Sequence, residues 1–218
     1  MFNQELIEVT QTFVKDTLKD AEGGHDWFHV ERVYKNALLI AKGETVDPLV
    51  VALGALLHDI ADSKFYDGDS TIGPKVAGAF LLKHNVDSAT INHVIKIIEN
   101  ISYSSNIGLE NTFRSIELDV VQDADRLDAL GAIGIARTFN YGGFKNRTLY
   151  NPDIKPNLNM TKAEYKTSNA PTINHFYEKL LLLKDKMNTT TGYKIAKQRH
   201  QYMVDFLKQF DAEWKGEK

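Results

Sequence analysis

Two adjacent residues, His58 and Asp59, are the clearest candidates for chemistry in this sequence. They end an almost wholly apolar run, residues 49–57, whose composition is typical of a buried segment. Buried polar side chains need partners, because an unpaired buried polar group is costly. A divalent metal ion is the partner that best suits a neutral imidazole and a carboxylate together. The pair therefore indicates a metal site, although a His-Asp dipeptide alone is a weak signal.

Two more residues strengthen this interpretation. His29 stands at the start of a stretch with apolar residues at helical spacing, and Asp125 lies in residues 123–130, which show the same spacing. The order along the chain is His29, then His58-Asp59, then Asp125, with every member on a predicted helix. In this order and setting the chain resembles the HD phosphohydrolase superfamily.

Later segments narrow the resemblance to bacterial HD-domain hydrolases of the YedJ/YpgQ type, and they extend it over nearly the whole chain. They are residues 131–139, Tyr141-Gly142-Gly143, residues 175–181, Arg199-His200 and Glu213-Trp214. The resemblance implies an all-α fold and metal-dependent phosphohydrolase activity. It also implies the metal ligands, which are His29, His58, Asp59 and Asp125.

The sequence around these residues predicts helices throughout. Asp26 is a good N-cap, and Asp47-Pro48 is a good helix start with proline in the first turn. We predict an all-α, compact helical bundle of the HD-domain type, forming a single domain over residues 1–218. The apolar residues near position 118 would also suit a strand. The predicted helices cover residues 4–21, 26–41, 48–61, 73–83, 88–101, 113–130, 172–187 and 191–214.

One segment, residues 140–171, lacks this periodicity. It holds three of the five prolines, the Gly142-Gly143 pair and many polar residues, so we predict a long irregular excursion. Both a surface insertion and a lid over the metal site fit this composition. The lid is favoured because the excursion follows the helix that carries Asp125. A turn at Gly142-Gly143 would let the backbone approach a phosphate group.

The predicted ligands define the chemistry of the site. The chain has no cysteine, so thiolate sites are excluded and nitrogen and oxygen donors remain. We expect one divalent ion, with Mn as the first candidate and Mg, Ni, Co, Fe and Zn also compatible. Asp62 lies four residues after His58, and an acid there often orients the attacking water in the superfamily. In this chain the acid is Asp rather than the frequent Glu, and a solvated loop residue is the alternative.

A phosphorylated substrate also needs cations or amides that match its oxygens. Residues 93, 96 and 100 form a polar stripe on the helix that begins at residue 88, and this stripe is either a solvated face or, as the resemblance implies, a wall of the pocket. The predicted substrate-binding residues are Arg32, Lys96, Asn100, Arg137 and Lys179.

Composition limits the partners. The net charge is −3, so nothing in the sequence favours a nucleic acid polymer or a membrane surface. We expect a cytoplasmic protein, a monomer or homodimer, that acts on a small phosphorylated molecule. The resemblance implies a nucleotide hydrolase, most specifically a nucleoside triphosphate pyrophosphohydrolase. The alternatives are a cyclic nucleotide or guanosine alarmone hydrolase, a non-catalytic nucleotide-binding regulatory module, and a metal-stabilised scaffold.

Overall fold

Helices make up the regular structure of the chain, so the predicted all-α class is confirmed. The computed structural model describes residues 4–21, 24–60, 69, 71–101, 113–161, 164 and 167–218, and these ranges contain no strand. No helix in these ranges is long and apolar enough to cross a membrane. The helices are α1 (Gln4–Thr17), α2 (Trp27–Ala41), α3 (Pro48–Leu57), α4 (Ile72–Lys83), α5 (Ser88–Asn100), α6 (Ile116–Asp128), α7 (Gly131–Phe144), α8 (Asn174–Glu178), a 3₁₀ helix (Leu180–Lys186) and α9 (Thr190–Trp214).

The chain forms two compact units, Met1–Asp125 and Arg126–Lys218. In the first unit, α3 is the central element and packs against α1, α2 and α5. Every residue of α3 from Val50 to Leu57 is buried, so this helix offers no polar group until its C-terminal end. A further link joins α2 to α6, where the Asn36 side-chain amide donates a hydrogen bond to the Ala124 carbonyl (3.3 Å). The helices α2 and α6 and the C-terminal end of α3 therefore place the predicted ligands within one packed unit.

The start of α3 is the predicted one, whereas its end comes earlier. The Asp47 carboxylate accepts hydrogen bonds from the backbone N–H groups of Leu49 (2.8 Å) and Val50 (3.3 Å). The helix was predicted to continue to residue 61 but ends at Leu57, with His58 as its C-cap. The His58 ring bonds the Ala55 carbonyl (2.8 Å), which is the acceptor that the next backbone N–H would use in a continuing helix.

The second unit is built around α9, which packs against α7 and the 3₁₀ helix. Its core includes a cluster of Phe139, Phe176 and Phe206, whose ring centroids lie 5.8–6.0 Å apart. The single helix predicted for residues 172–187 is wrong: Lys179 (φ −140°, ψ −56°) breaks it into α8 and the 3₁₀ helix. Packing of Phe176 against its aromatic neighbours, which periodicity alone does not reveal, accompanies this break.

The Gly142-Gly143 pair is helical, so the predicted turn is wrong and the irregular segment begins at Lys145. Thr172 packs closely against Gly142, where a Cβ atom would overlap the Oγ1 atom of Thr172 and lie 3.2 Å from its Cβ. Nothing lies within 4 Å of a Cβ at Gly143. Backbone bonds from Thr172 N to Thr148 O (2.9 Å) and from Ile173 N to Leu149 O (3.1 Å) hold the two ends of the segment side by side.

These neighbouring glycines provide a matched test of the fold. Gly142→Ala forces a buried threonine to move, and we expect it to destabilise the protein by about 1–3 kcal/mol. Gly143→Ala adds a methyl group in open space within a helix, and we expect a gain of up to ~1 kcal/mol. Thermal unfolding of both variants measures this difference, at about 2–4 °C per kcal/mol. Equal melting temperatures for the two variants would contradict the described packing.

Candidate metal centre

The hydrogen bond made by one ring nitrogen of His58 determines the protonation of the other, which is buried. Its Nδ1 lies 2.8 Å from the Ala55 carbonyl oxygen. A carbonyl can only accept, so Nδ1 carries the proton and the neutral ring keeps a lone pair on Nε2. His58 is only 8% exposed, and Nε2 is buried without a hydrogen-bond partner in the described part of the chain. An imidazole nitrogen with a buried lone pair of this kind is well suited to bind a metal ion.

His29 reaches the same place from the start of α2. The Asp26 carboxylate caps this helix by accepting a hydrogen bond from the backbone N–H of His29 (2.9 Å), which fixes the position of the residue. The His29 side chain is buried, and its ring centroid lies 5.5 Å from that of His58. Its Nε2 is 3.4 Å from Asp125 Oδ1 on α6. Side chains from α2, from the C-cap of α3 and from α6 therefore lie close together.

His29, His58 and Asp125 form a group that could hold a metal ion. Their ligand atoms all lie within 4.8 Å of one another. Two ligands of one ion, each at about 2.0–2.2 Å from it, stand no more than about 4.4 Å apart. The three side chains are thus within a small adjustment of sharing one ion. Two imidazoles and a carboxylate suit a borderline divalent cation, so the residues present fit the metal that the sequence predicts.

Asp59, the fourth predicted ligand, is not a member of this group of three, and its carboxylate is bound to another histidine. His25 Nδ1 lies 2.6 Å from Asp59 Oδ2 and donates to it. Burial by itself raises the pKa of Asp59, but the bond from His25 and the nearby imidazoles of His58, His25 and His29 outweigh it. Together they hold the pKa of this carboxyl well below its usual range. Asp59 therefore remains an anion, the form in which a carboxylate binds metal.

The sequence did not single out His25. It lies between Gly24 and the Asp26 cap, outside any apolar periodicity, and its partner is 34 residues away. The one available signal was its spacing, four residues before His29. Asp62, the predicted water-orienting acid, lies outside the described residues.

Three of the predicted substrate-binding residues belong to the first unit. Arg32 is half-buried on α2, one turn after His29. Lys96 is exposed on α5, with its Nζ 5.3 Å from the centroid of the Phe113 ring. The Asn100 side-chain amide donates a hydrogen bond to the Lys96 carbonyl (2.8 Å). These contacts are local, and the substrate roles of the three residues stay predictions.

The other two belong to the second unit. Arg137 Nη1 donates to the Asp128 carboxylate (2.5 Å) and to the Asp128 carbonyl (3.2 Å). Asp128 is 1% exposed, so this pair joins α6 to α7 as a buried structural contact. Arg137 thus has a structural task that the sequence did not predict. Lys179 is exposed at the break between α8 and the 3₁₀ helix. Phosphate contacts by either residue stay predictions.

The chain is similar to known proteins of the HD-domain family. The sequence profile of the HD domain matches residues 27–130, a span that includes all three grouped residues. Uncharacterized protein YpgQ of Bacillus subtilis (strain 168) is 37% identical, covering 96% of this chain and 94% of that protein. The crystal structure of an HD-superfamily hydrolase from Bacillus thuringiensis is similar with a TM-score of 0.77 and 44% identity, covering 97% and 98% of the two chains. Bacillus subtilis YpgQ in complex with ADP is similar with a TM-score of 0.73 and 32% identity, covering 98% and 97%.

Removing one ligand atom from the centre tests its composition. We expect the purified chain, stripped by chelation, to bind one Mn²⁺. His58→Ala should weaken this binding beyond the ~10–100-fold typical of losing an outer-shell partner, because a direct ligand is lost. The electron paramagnetic resonance signal of free Mn²⁺ during titration measures both affinities.

His84→Ala is the matched control. His84 belongs to the same unit but packs against the Phe80 ring, with centroids 4.6 Å apart, and is no member of the group. Its affinity for Mn²⁺ should equal that of the wild type. An unchanged affinity in His58→Ala would remove His58 from the centre.

Proposed function

The chain belongs to the HD-domain family of metal-dependent phosphohydrolases, and from that premise we propose that it hydrolyses nucleotides. The specific form of the proposal is a nucleoside triphosphate pyrophosphohydrolase. Water attacks at phosphorus, the bond between the α and β phosphates breaks, and the products are a nucleoside monophosphate and pyrophosphate.

The observation that carries the proposal is the converging set of metal donors. His58 Nε2 is buried without a hydrogen-bond partner in the described residues, and it lies beside His29 and Asp125 in one group. A regulatory module that only binds nucleotides has no need of a buried lone pair prepared in this way. A purely structural metal site would close its coordination sphere with protein ligands. The Asp125 side chain is instead 43% exposed, which leaves the centre open on that side.

Each residue of the centre has a separate task in this proposal. A bound divalent ion would supply Lewis acidity toward a phosphoryl oxygen and lower the pKa of a coordinated water. His29 and His58 offer ring nitrogens, whereas Asp125 and Asp59 offer carboxylates whose two charges offset that of the ion. Asp62 is proposed, on the resemblance alone, to orient the attacking water. Phosphate oxygens would be held by the cationic and amide side chains predicted from the sequence, among them Lys96 and Arg32.

Support for a nucleotide substrate comes from a relative. Bacillus subtilis YpgQ has been crystallised with ADP, and this chain is similar to that structure over 98% of its length. ADP contains the base, ribose and diphosphate that a nucleoside triphosphate shares. Cyclic nucleotides and guanosine alarmones also contain these groups in part, so they are the natural competitors in an assay.

A substrate panel with product identification tests the proposal. The Mn²⁺-loaded protein is incubated in H₂¹⁸O with nucleoside triphosphates, nucleoside diphosphates, cyclic nucleotides and a guanosine alarmone. We expect triphosphates to give monophosphate and pyrophosphate in equal amounts, with ¹⁸O in one product, as read by mass spectrometry and ³¹P NMR. The product that carries the label identifies the attacked phosphorus.

Two controls accompany the panel. Chelation should abolish turnover, and added Mn²⁺ should restore it, because the ion is required for the step. His84→Ala should retain the wild-type rate. Release of inorganic phosphate from triphosphates, or hydrolysis confined to cyclic nucleotides or the alarmone, would contradict the pyrophosphohydrolase form. No hydrolysis of any compound by the metal-loaded protein would contradict the proposed function as a whole.

A further inference from the structure

Neither His25 nor Asp59 belongs to the group of three possible ligands, yet a hydrogen bond joins them next to that group. It spans 34 positions of the chain and is short, at 2.6 Å between Nδ1 and Oδ2. His25 precedes the first turn of α2, whereas Asp59 follows the last residue of α3. The contact therefore ties the beginning of one ligand-bearing helix to the end of another.

Asp59 needs such a tie because its position on the backbone does not orient it. It lies two residues beyond Leu57, the last residue of α3, and is therefore outside the regular helix. The hydrogen bond from His25 to Oδ2 restricts the rotation of the Asp59 carboxylate, whose other oxygen is Oδ1. Metal-binding carboxylates are commonly held by such outer partners.

We infer that His25 is a positioning residue that orients the Asp59 carboxylate as the fourth ligand of the metal centre. This role rests on the metal-dependent function proposed above. His25 is itself well placed to do so. It adjoins Asp26, which caps α2, and its ring packs edge-on against His29, with centroids 5.9 Å apart and an interplanar angle of 68°. One short segment, residues 25–29, thereby holds His29 directly and Asp59 through His25.

A contribution to stability alone is the competing explanation, and exposure separates the two. The His25 side chain is 32% exposed and that of Asp59 is 17% exposed. The carboxylate is mostly buried but the imidazole is partly solvated, so water can replace the lost N–H. The cost to folding should therefore stay at about 1 kcal/mol, the upper value for exposed pairs, rather than about 3–5 kcal/mol as for a fully buried pair. Loss of His25 should therefore lower thermal stability only slightly and lower metal affinity strongly. A merely structural contact would show the opposite pattern or no effect on the metal.

The test compares two substitutions at one position. His25→Ala removes the donor, and we expect Mn²⁺ affinity to fall about 10–100-fold, as for other outer-shell partners. His25→Asn keeps a side-chain N–H near the position of Nδ1 and should recover most of the affinity. Titration of chelator-treated protein with Mn²⁺ gives the affinities. The melting temperature of the metal-free protein should change by no more than about 4 °C, because a loss of about 1 kcal/mol shifts it by about 2–4 °C.

A double-mutant cycle with Asp59→Asn identifies the partner through which His25 acts. In the Asp59→Asn background, the further change His25→Ala should alter Mn²⁺ affinity by less than about twofold, because residues that act through one another are not additive. A full additional loss in that background would overturn the inference. So would wild-type affinity in His25→Ala, and in that case metal binding and hydrolysis by the wild type leave the proposed function standing. A wild-type protein that binds no Mn²⁺ would overturn both.

Discussion

The hydrogen bond between His58 Nδ1 and the Ala55 carbonyl is the constraint on which the site depends. It selects the tautomer whose Nε2 keeps a lone pair, and it does so where burial keeps solvent away. The same bond lies at the C-terminal end of α3, which ends at Leu57 with His58 as its C-cap, so Asp59 lies outside the helix. Ligand preparation and helix termination thus coincide at the end of a helix that is buried from Val50 to Leu57.

Local signals explain why the elements around this point could be predicted. Asp26 and Asp47 cap α2 and α3 as expected, because a side-chain oxygen at the N-cap acts on the backbone directly after it. Long, strongly periodic segments such as α9 also match closely. The errors occur where distant contacts decide. Gly142 lies in a helix, where close contact with Thr172 leaves no room for a Cβ atom, and the break at Lys179 lies beside an aromatic cluster formed from three segments.

The candidate site also has a part that could be predicted from the sequence and a part that depends on distant contacts. The family resemblance, which rests on residue type and order along the chain, implied His29, His58 and Asp125 as ligands, and the structure brings these three together. The pairing of Asp59 with His25 depends on how α2 approaches the end of α3, and no pattern within either segment encodes that approach. Arg137 illustrates the opposite case: it looked available for phosphate, but the buried Asp128 carboxylate, nine residues earlier, binds it.

The physical picture is therefore a helix end that prepares one nitrogen, with two neighbouring helices that complete the donor set. Crystals of the protein soaked in Mn²⁺ and measured at the manganese absorption edge test it most directly. We predict one anomalous peak within about 2.0–2.3 Å of the Nε2 atoms of His29 and His58 and of carboxylate oxygens of Asp125 and Asp59. A peak bonded to His58 Nδ1, or a strong peak away from these residues with none among them, would contradict the account.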